Sequence, residues 1–405
     1  MPRKPPPDRL RSARSHRPVM LKSACILLAT AACGTAPDDS TPNHPGQPTL
    51  QLSDQPAFSV GESADSPTYQ LFNAWSGAIL ADGTIVVGNQ GARELIWFDA
   101  TVQALRVTGR EGDGPGEFRG LNGLFPAAGG LVVWDGRLDR MTAYTASGEL
   151  ERVVTLREAG AGVPAGYLSG VGMALASGIE PGTRRRIDVW DDAGEQARQL
   201  EGAAIGPGGL IRWTVDGRAN RSTSLPLACM AEPFQVVVDG SIVVGDPAAG
   251  VVNVVNGAGV SRELYRARAR GVVTESVRDS VRAWVNGFMQ SRTQGPGSVI
   301  PPDTLDSAIE RMGALGDPLP AWTGARADPT GRVWLELAIC PGTEDAPRIF
   351  EIVDLADGYA GTISIPRELL LLAIRGDQVL VTRSNELGVE RLELYRVEAA
   401  DADIR

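Results

Sequence analysis

The main body of this sequence contains no lysine and no histidine. Both lysines, Lys4 and Lys22, and both histidines, His16 and His44, precede residue 50 of the 405-residue chain. Without these residue types, residues 50–405 cannot build a Ser-His-Asp or Cys-His catalytic group, a histidine zinc site or a lysine Schiff base. Histidine-dependent hydrolysis, catalysis by histidine-bound zinc and imine chemistry on lysine are therefore excluded for the body of the chain.

Cysteine and net positive charge are also scarce. The body keeps two of the four cysteines, Cys229 and Cys340, which an exported protein can join as a disulfide; two separate buried thiols are the alternative. The formal net charge of the whole chain is −10, although residues 1–22 carry seven basic residues and one acid. The body is therefore more acidic than the whole chain, which argues against nucleic-acid binding.

A basic and then apolar leader occupies residues 1–33. The apolar stretch before Cys33 is shorter than the ~20 residues that a transmembrane helix needs. The sequence LLATAAC, which ends at Cys33, is similar to a lipidation motif, so we expect a lipid on that cysteine. Cleavage after small residues, with free release, is the alternative. Met20 is an alternative start to Met1.

Residues 34–49 are rich in proline, threonine, aspartate and glycine and predict a flexible tether. Together with the leader, this tether predicts an exported lipoprotein of the bacterial cell envelope, either periplasmic or on the cell surface. We expect it to touch the membrane only through its N-terminal lipid anchor.

A strand–turn–strand unit recurs about six times along residues 50–405. Each turn is marked by a glycine, and these are Gly83, Gly130, Gly178, Gly240, Gly331 and Gly376. Most gaps are about 47 residues, close to the length of a four-stranded propeller blade. The pattern predicts an all-β, six-bladed β-propeller. A two-sheet sandwich with similar turns is the alternative.

Two segments depart from the repeat. Residues 271–320 lie in the one long gap, begin with the helix-capping residue Thr274, and carry apolar residues at helical spacing. They predict a helical insertion between blades four and five. Residues 50–60 precede the first repeat, and we expect them to supply the missing strand of the last blade and so close the ring.

In a propeller, the loops that lead into the innermost strands and the loops between the second and third strands open on one face, here called the top face. Polar residues after second strands and two tryptophans near the insertion are predicted to bind there: Asn89, Asp135, Asp246, Glu336, Trp284 and Trp322. The four oxygen-bearing side chains are of the type that holds calcium. Turn capping, or pairing with the arginines that begin the third strands, is the alternative. The glycine-rich loop at residues 109–120 is either an anion-binding nest or a corner in which Phe118 fills a gap between blades.

The GPGEF loop followed by a GxLVVxD-type strand resembles bacterial six-bladed propellers of the NHL-repeat type, as do ADPTGRVWLE at residues 327–336 and NELGVERLELYRV at residues 385–397. The resemblance implies an exported protein that serves as a binding or scaffold module. Related amidating lyases use histidine-bound zinc, which has no counterpart here. Calcium-dependent lactonase-like propellers place Asp, Glu and Asn around an axial ion.

The resulting functional prediction is a tethered module that binds a ligand or an envelope protein through its top face, without catalysis and without a cofactor. The alternative is a calcium-dependent, lactonase-like hydrolase or lyase with carboxylates at the axial mouth. In either case we expect a monomer that binds no nucleic acid. The identity of the ligand and any metal cannot be read from the residues.

Overall fold

Strands make up most of the regular structure of this chain. The structure is a computed structural model that describes residues 48–61, 70–101, 103–157, 159, 162–178, 183–205, 210–214, 222–226, 233–256, 259, 261–267, 270–291, 300–338 and 346–400. These residues belong to one compact unit, His44–Arg405. None of the helices in the described ranges is long and apolar enough to cross a membrane.

The first half of the described chain forms two short strands and three four-stranded antiparallel sheets. The short strands are β1 (Thr49–Leu52) and β2 (Phe58–Val60). The first sheet holds β3 (Ala74–Ile79), β4 (Ile85–Asn89), β5 (Glu94–Phe98) and β6 (Ala104–Thr108). The second holds β7 (Gly123–Ala127), β8 (Gly130–Asp135), β9 (Arg140–Thr145) and β10 (Leu150–Thr155). The third holds β11 (Val163–Leu168), β12 (Gly172–Ser177), β13 (Arg184–Trp190) and β14 (Gln196–Ala204).

The second half adds a hairpin, a fourth sheet, two helices and seven further strands. The hairpin is β15 (Leu210–Thr214) and β16 (Ser222–Pro226). The fourth sheet is β17 (Phe234–Val238), β18 (Ser241–Asp246), β19 (Val251–Val255) and β20 (Ser261–Arg266). Then come α1 (Glu275–Ser291), α2 (Pro302–Glu310), β21 (Trp322–Asp328), β22 (Arg332–Leu337), β23 (Arg348–Asp354), β24 (Gly358–Ile365), β25 (Leu369–Arg375), β26 (Gln378–Ser384) and β27 (Glu390–Ala399). The last seven strands join β1 and β2 in a nine-stranded sheet of order β21-β22-β23-β24-β1-β27-β26-β25, in which β2 also pairs with β27.

The second and third strands of the sheets form where the sequence has continuous apolar runs. Every residue of β4 and of β8 is buried, and in β5 only the first residue is not. A strand with one face in water would instead alternate between apolar and polar residues. These runs are continuous because each sheet is covered on both faces by its neighbours. The third strands that the second apolar runs predict are confirmed at β5, β9, β13, β19, β23 and β27.

Six strands contact one another in turn around a central axis: the first strands of the four smaller sheets and the two end strands of the nine-stranded sheet. β3 contacts β7, β7 contacts β11, β11 contacts β17, β17 contacts β21, β21 contacts β25, and β25 returns to β3. The outer strands β6 and β10 are largely exposed. Radial sheets of consecutive antiparallel strands around an axis define a β-propeller. The all-β propeller prediction is confirmed.

An apolar cluster fills each interface between neighbouring sheets. Trp97 of the first sheet packs with Tyr144 of the second, and the two ring centroids are 5.8 Å apart. On the other side of the first sheet, Ile96 packs with Leu380 of β26. Equivalent clusters lie at the remaining interfaces between sheets, and another lies between the two ends of the nine-stranded sheet. The core is therefore distributed between the sheets, and the axis itself is left to small side chains.

The N-terminal strands pair with β27, the last strand of the chain, as the sequence predicts. β1 pairs in parallel with β24 and antiparallel with β27, whereas β2 pairs antiparallel with an earlier part of β27. Leu50 and Leu52 pack on the cluster between β21–β24 and β25–β27, and Phe58 and Val60 pack on the next one. β1 and β2 thus cover the edge of β27, whose backbone groups would otherwise be unpaired.

The two helices lie between β20 and β21, in the segment where helical spacing predicts them. Thr274 Oγ1 accepts a hydrogen bond from Val277 N at 3.2 Å and caps α1, as expected. The apolar stripe of α1 packs against α2 and its flanking segments, through Val273, Val281, Val285, Met289, Ile300, Leu305, Ala308, Ile309 and Leu319. The insertion therefore has a small core of its own, and α2 also contacts β15.

One of the glycine markers was wrong. The turn between the first and second strands of the third sheet lies at residues 169–171, where Gly170 has a φ of 72°. Gly178 instead follows the last residue of β12, at the other end of that strand. It also has a positive φ, 93°, so both ends of β12 carry a glycine that favours a turn. The 47-residue spacing selected the wrong one of the two.

The loop at residues 109–120 is a corner between the first and second sheets. Phe118 is fully buried in the cluster between those sheets. The Glu117 carboxylate accepts the Gly114 amide at 2.7 Å and pairs with Arg110 at 2.5 Å. The Gly114 amide and then Arg110 lower the pKa of Glu117. Because the chain's own carboxylate takes this amide, the geometry favours the corner over an anion-binding nest.

Candidate functional site

Asn89 holds the segment that leads into β3. Its Oδ1 accepts a hydrogen bond from Phe72 N at 2.7 Å, and its Nδ2 donates to Gln70 O at 2.9 Å. The side chain is buried. Gly91 N also donates to Phe72 O, and a Cβ on Gly91 would lie 1.8 Å from the Phe72 ring. Asn89 and Gly91 therefore fix the position of Phe72 on the top face.

Asp135 is fully buried at the end of β8, where it caps backbone amides. Its Oδ2 accepts from Arg119 N at 2.7 Å, and its Oδ1 accepts from Arg137 N at 3.0 Å. Arg140, which begins the third strand, donates to the carbonyls of Asp113 and Glu117. Asp135 and Arg140 each bind backbone groups and not each other, so the predicted pairing of the acid with the arginine is not formed in this sheet.

Asp246 and Glu336 are both partly exposed. Asp246 Oδ1 accepts from Ala249 N at 2.9 Å, which is a turn-capping bond. Glu336 acts electrostatically on Arg348, whose pKa is lowered mainly by burial while Glu336 opposes that shift. Over the described ranges, no group of three or more His, Cys, Asp or Glu side chains is arranged to hold a metal ion. A calcium site at the four predicted residues stays a prediction without support from their contacts.

The two predicted tryptophans lie in different cores. Trp284 packs against the cluster between α1 and α2. Trp322 is fully buried, and its Nε1 donates to Glu351 Oε2 at 2.8 Å, while Tyr265 OH lies 3.1 Å from Glu351 Oε1. Burial raises the pKa of Glu351, against the opposing effect of these two donors. Trp322 thus contacts a buried carboxyl group, and its binding role stays a prediction.

The buried Glu351 makes stability depend on pH in a defined direction. A carboxyl whose pKa is raised by folding contributes stability below its unfolded pKa, and this contribution is lost as the pH rises through the folded pKa. Glu351→Gln keeps partners for Trp322 and Tyr265 without a charge. We expect the variant to gain stability over the natural chain as the pH rises from about 4 to 8. Urea unfolding across that range measures it; a constant difference would contradict the assignment.

Four large apolar side chains are exposed on two adjoining segments of the top face and are here called the top-face patch: Phe72, Trp75, Leu387 and Val389. Phe72 is 69% exposed and Leu387 is 89% exposed. Glu390 Oε2 accepts from Ala74 N at 2.8 Å, which joins the segment before β3 to the loop before β27. The Asn385 side chain shapes that loop by accepting from both Leu387 N and Val389 N at 2.9 Å. Sequence reasoning missed this patch, because its two halves are more than 300 residues apart.

A cavity of about 390 Å³ lies on the axis, lined by the first strands of the sheets and the turns that follow them. Those turns include Ala81, Ala128, Ser169, Asp239 and Pro329. The cavity therefore lies toward the face opposite the top face, here called the bottom face. None of the predicted site residues within the described ranges lines it. Sequence reasoning missed it because small residues on inner strands carry no distinctive motif.

Several predicted residues fall outside the part of the chain that the structure describes. These are the lipidation candidate Cys33 and the disulfide candidates Cys229 and Cys340. The leader at residues 1–33 and the tether through residue 47 fall there too. The lipid anchor and the disulfide stay predictions.

No protein-family model and no curated protein matches this chain significantly. Solved structures do match. One, described as an exported protein of Bacteroides fragilis, is 11% identical with a TM-score of 0.50, covering 87% of this chain and 96% of that chain. A member of the duf4221 family from Bacteroides vulgatus is 11% identical with a TM-score of 0.44, covering 87% and 100%. A streptogramin B lyase is 10% identical with a TM-score of 0.40, covering 85% and 89%. At these identities the comparison concerns the fold alone.

Proposed function

We propose that this protein is an exported, non-catalytic β-propeller that binds another protein through its top-face patch. The observation that carries the proposal is the exposure of Phe72, Trp75, Leu387 and Val389 together on one face. Large exposed apolar groups of this kind mark interaction sites on soluble proteins. Phenylalanine and tryptophan are also enriched in the fully buried centres of protein interfaces.

A protein fits this patch better than a small molecule. Leu387 is 89% exposed and Phe72 69% exposed, so both side chains present most of their surface to solvent. Small ligands instead need a concave site that surrounds most of their surface. A projecting side chain is buried when a partner supplies the pocket. Asn89 supports the patch by holding the backbone of Phe72, which gives this predicted residue a positioning role.

We further propose that the propeller has six blades of the NHL-repeat type. The two halves of the nine-stranded sheet, β21–β24 and β25–β27 with β2, each have the strand order of one blade, and β1 bridges them. The ring of contacts among β3, β7, β11, β17, β21 and β25 supports this division. The alternative is a continuous nine-stranded sheet that acts as one unit.

Export and anchoring are part of the proposal. The basic and apolar leader, Cys33 and the proline-rich tether support a lipoprotein of the cell envelope. The partner would then be another envelope protein. The absence of lysine and histidine from residues 50–405 supports binding without catalysis.

Site-specific photo-crosslinking tests the top-face patch. A photoreactive amino acid at position 387 should crosslink a discrete envelope protein in the producing cells. The matched position is Ala193, an exposed residue in the turn between β13 and β14 on the bottom face, where no such product is expected. Adding Phe72→Ser and Trp75→Ser should lower the yield at position 387 about tenfold with little loss of stability. Equal products at both positions, or none at position 387, would refute the proposal, as would robust turnover of lactones, esters or phosphoesters.

A further inference from the structure

The axial cavity exists because the inner strands carry small residues where they approach the axis. Glycine and alanine recur along its wall, as Gly77, Ala78, Ala165, Ala325 and Ala373. Larger apolar groups, among them Leu124, Phe125, Val236 and Leu372, complete it. A volume of about 390 Å³ lies within the range of small-molecule sites. The wall can therefore enclose a compact apolar body.

Two arginines add positive charge to this apolar wall. Arg326 lies on β21 and Arg375 ends β25, and both line the cavity. Within the described ranges, the Arg326 guanidinium has one hydrogen bond, a 3.3 Å contact to the carbonyl of Ala325, and neither arginine has a carboxylate partner. Asp239, at the exposed turn after β17, is the one acid among the lining residues. The lining thus carries a net positive charge that its own residues do not neutralise.

Asp328 holds the strands of the two arginines together at the cavity. Its buried carboxylate accepts Thr330 N at 2.9 Å, Thr330 Oγ1 at 2.7 Å and Gly376 N at 3.1 Å. Gly376 directly follows Arg375, and Arg326 is two residues before Asp328 on the same face of β21. Both guanidinium groups therefore come from adjoining strands whose ends are tied together.

We propose that the axial cavity binds an amphipathic organic anion, with its apolar body against the small inner-strand residues and its acid group on Arg326 and Arg375. Guanidinium groups bind carboxylate and phosphate oxygens through charge-assisted hydrogen bonds, which are roughly twice as strong as neutral ones. This site is at the opposite end of the propeller from the top-face patch and does not depend on the protein-binding proposal.

Two fluorescent probes that differ in one charged group test the proposal. 8-Anilinonaphthalene-1-sulfonate has an apolar body and an anionic group, and N-phenyl-1-naphthylamine has the same body without the sulfonate. The full chain should bind the sulfonate more tightly than the neutral probe. Arg375→Gln and Arg326→Gln should each weaken the sulfonate about tenfold and leave the neutral probe nearly unchanged. Arg137→Gln, in an exposed top-face loop, is the matched control and should change neither.

Further variants locate the bound probe. Ala128 is exposed at the bottom-face rim of the cavity, so Ala128→Trp should narrow the opening and weaken both probes at an unchanged melting temperature. The double variant Phe72→Ser, Leu387→Ser, which alters the top-face patch, should bind both probes as tightly as the natural chain. Decanoate or decyl phosphate should displace the sulfonate probe at concentrations about tenfold lower than decanol of the same length. Equal losses of both probes in the arginine variants, full binding to Ala128→Trp, or displacement by decanol at the same concentration as by the acids would overturn the proposal.

Discussion

A chain that begins at residue 62 should fail to fold, whereas a chain that begins at His44 should behave like the full protein. The longer truncation removes β1 and β2, which cover the edges of β24 and β27. It also removes Leu50, Leu52, Phe58 and Val60 from two apolar clusters. Four apolar side chains and a row of ladder hydrogen bonds add up to roughly 5 kcal/mol, as much as the total stability of many domains.

Soluble yield and circular dichroism of the two truncated chains measure this effect. The strands that remain in the shorter chain would present unpaired backbone groups, so aggregation is the expected outcome. A synthetic peptide of residues 48–61 added during refolding should restore part of the soluble yield, since the missing strands attach to the rest of the chain through noncovalent backbone pairing and apolar contacts. A soluble chain from residue 62 with an unchanged melting temperature would show that β1 and β2 do not close the propeller.

The parts of the fold that the sequence predicts well are those in which one physical rule acts alone. Continuous apolar runs such as TIVV and LVVW have to be covered on both faces, and β4 and β8 are buried throughout. The capping residue Thr274 and the apolar spacing after it likewise identify α1. The repeat spacing wrongly places the turn before β12 at Gly178, which follows that strand. Gly170 and Gly178 both have positive φ, and spacing alone does not distinguish the two ends of the strand.

The site residues are harder to predict, because they depend on which distant segments meet. The sequence predicts Asn89 as an oxygen ligand, but its side-chain oxygen accepts a hydrogen bond from Phe72 N. Trp322 reads as a surface aromatic beside the insertion, but Tyr265 and Phe234 pack on it, with ring centroids 6.0 and 6.5 Å away, in a cluster that also includes β21–β23 residues. The top-face patch joins residues 72–75 to residues 387–389, and only the closed ring brings them together.

Replacing Phe118 by alanine should cost about 3 to 4 kcal/mol of unfolding free energy, the range for removing a buried aromatic side chain. Phe118 is fully buried between the first and second sheets, in a cluster with Leu80, Leu95, Trp97, Leu121 and Tyr144. Its backbone amide donates to Arg110 O at 2.8 Å. This bond holds the backbone in place, so the backbone cannot move into the cavity that the missing ring would leave. At Gly109, with a φ of 90°, a Cβ would lie 2.8 Å from the ring, so the loop is shaped around this side chain.

Urea unfolding followed by circular dichroism gives the free energies for Phe118→Ala and for a matched loop variant. Glu117→Gln alters the adjacent, more exposed residue and keeps an acceptor for Gly114 N, so its loss should be far smaller. The Glu117 carboxylate already accepts the hydrogen bond of the Gly114 amide. Added sulfate should therefore stabilise the natural chain and Phe118→Ala equally. A cost below about 1 kcal/mol for Phe118→Ala would favour an anion-binding loop over a corner between sheets. So would stabilisation by sulfate that is present in the natural chain and absent from Phe118→Ala.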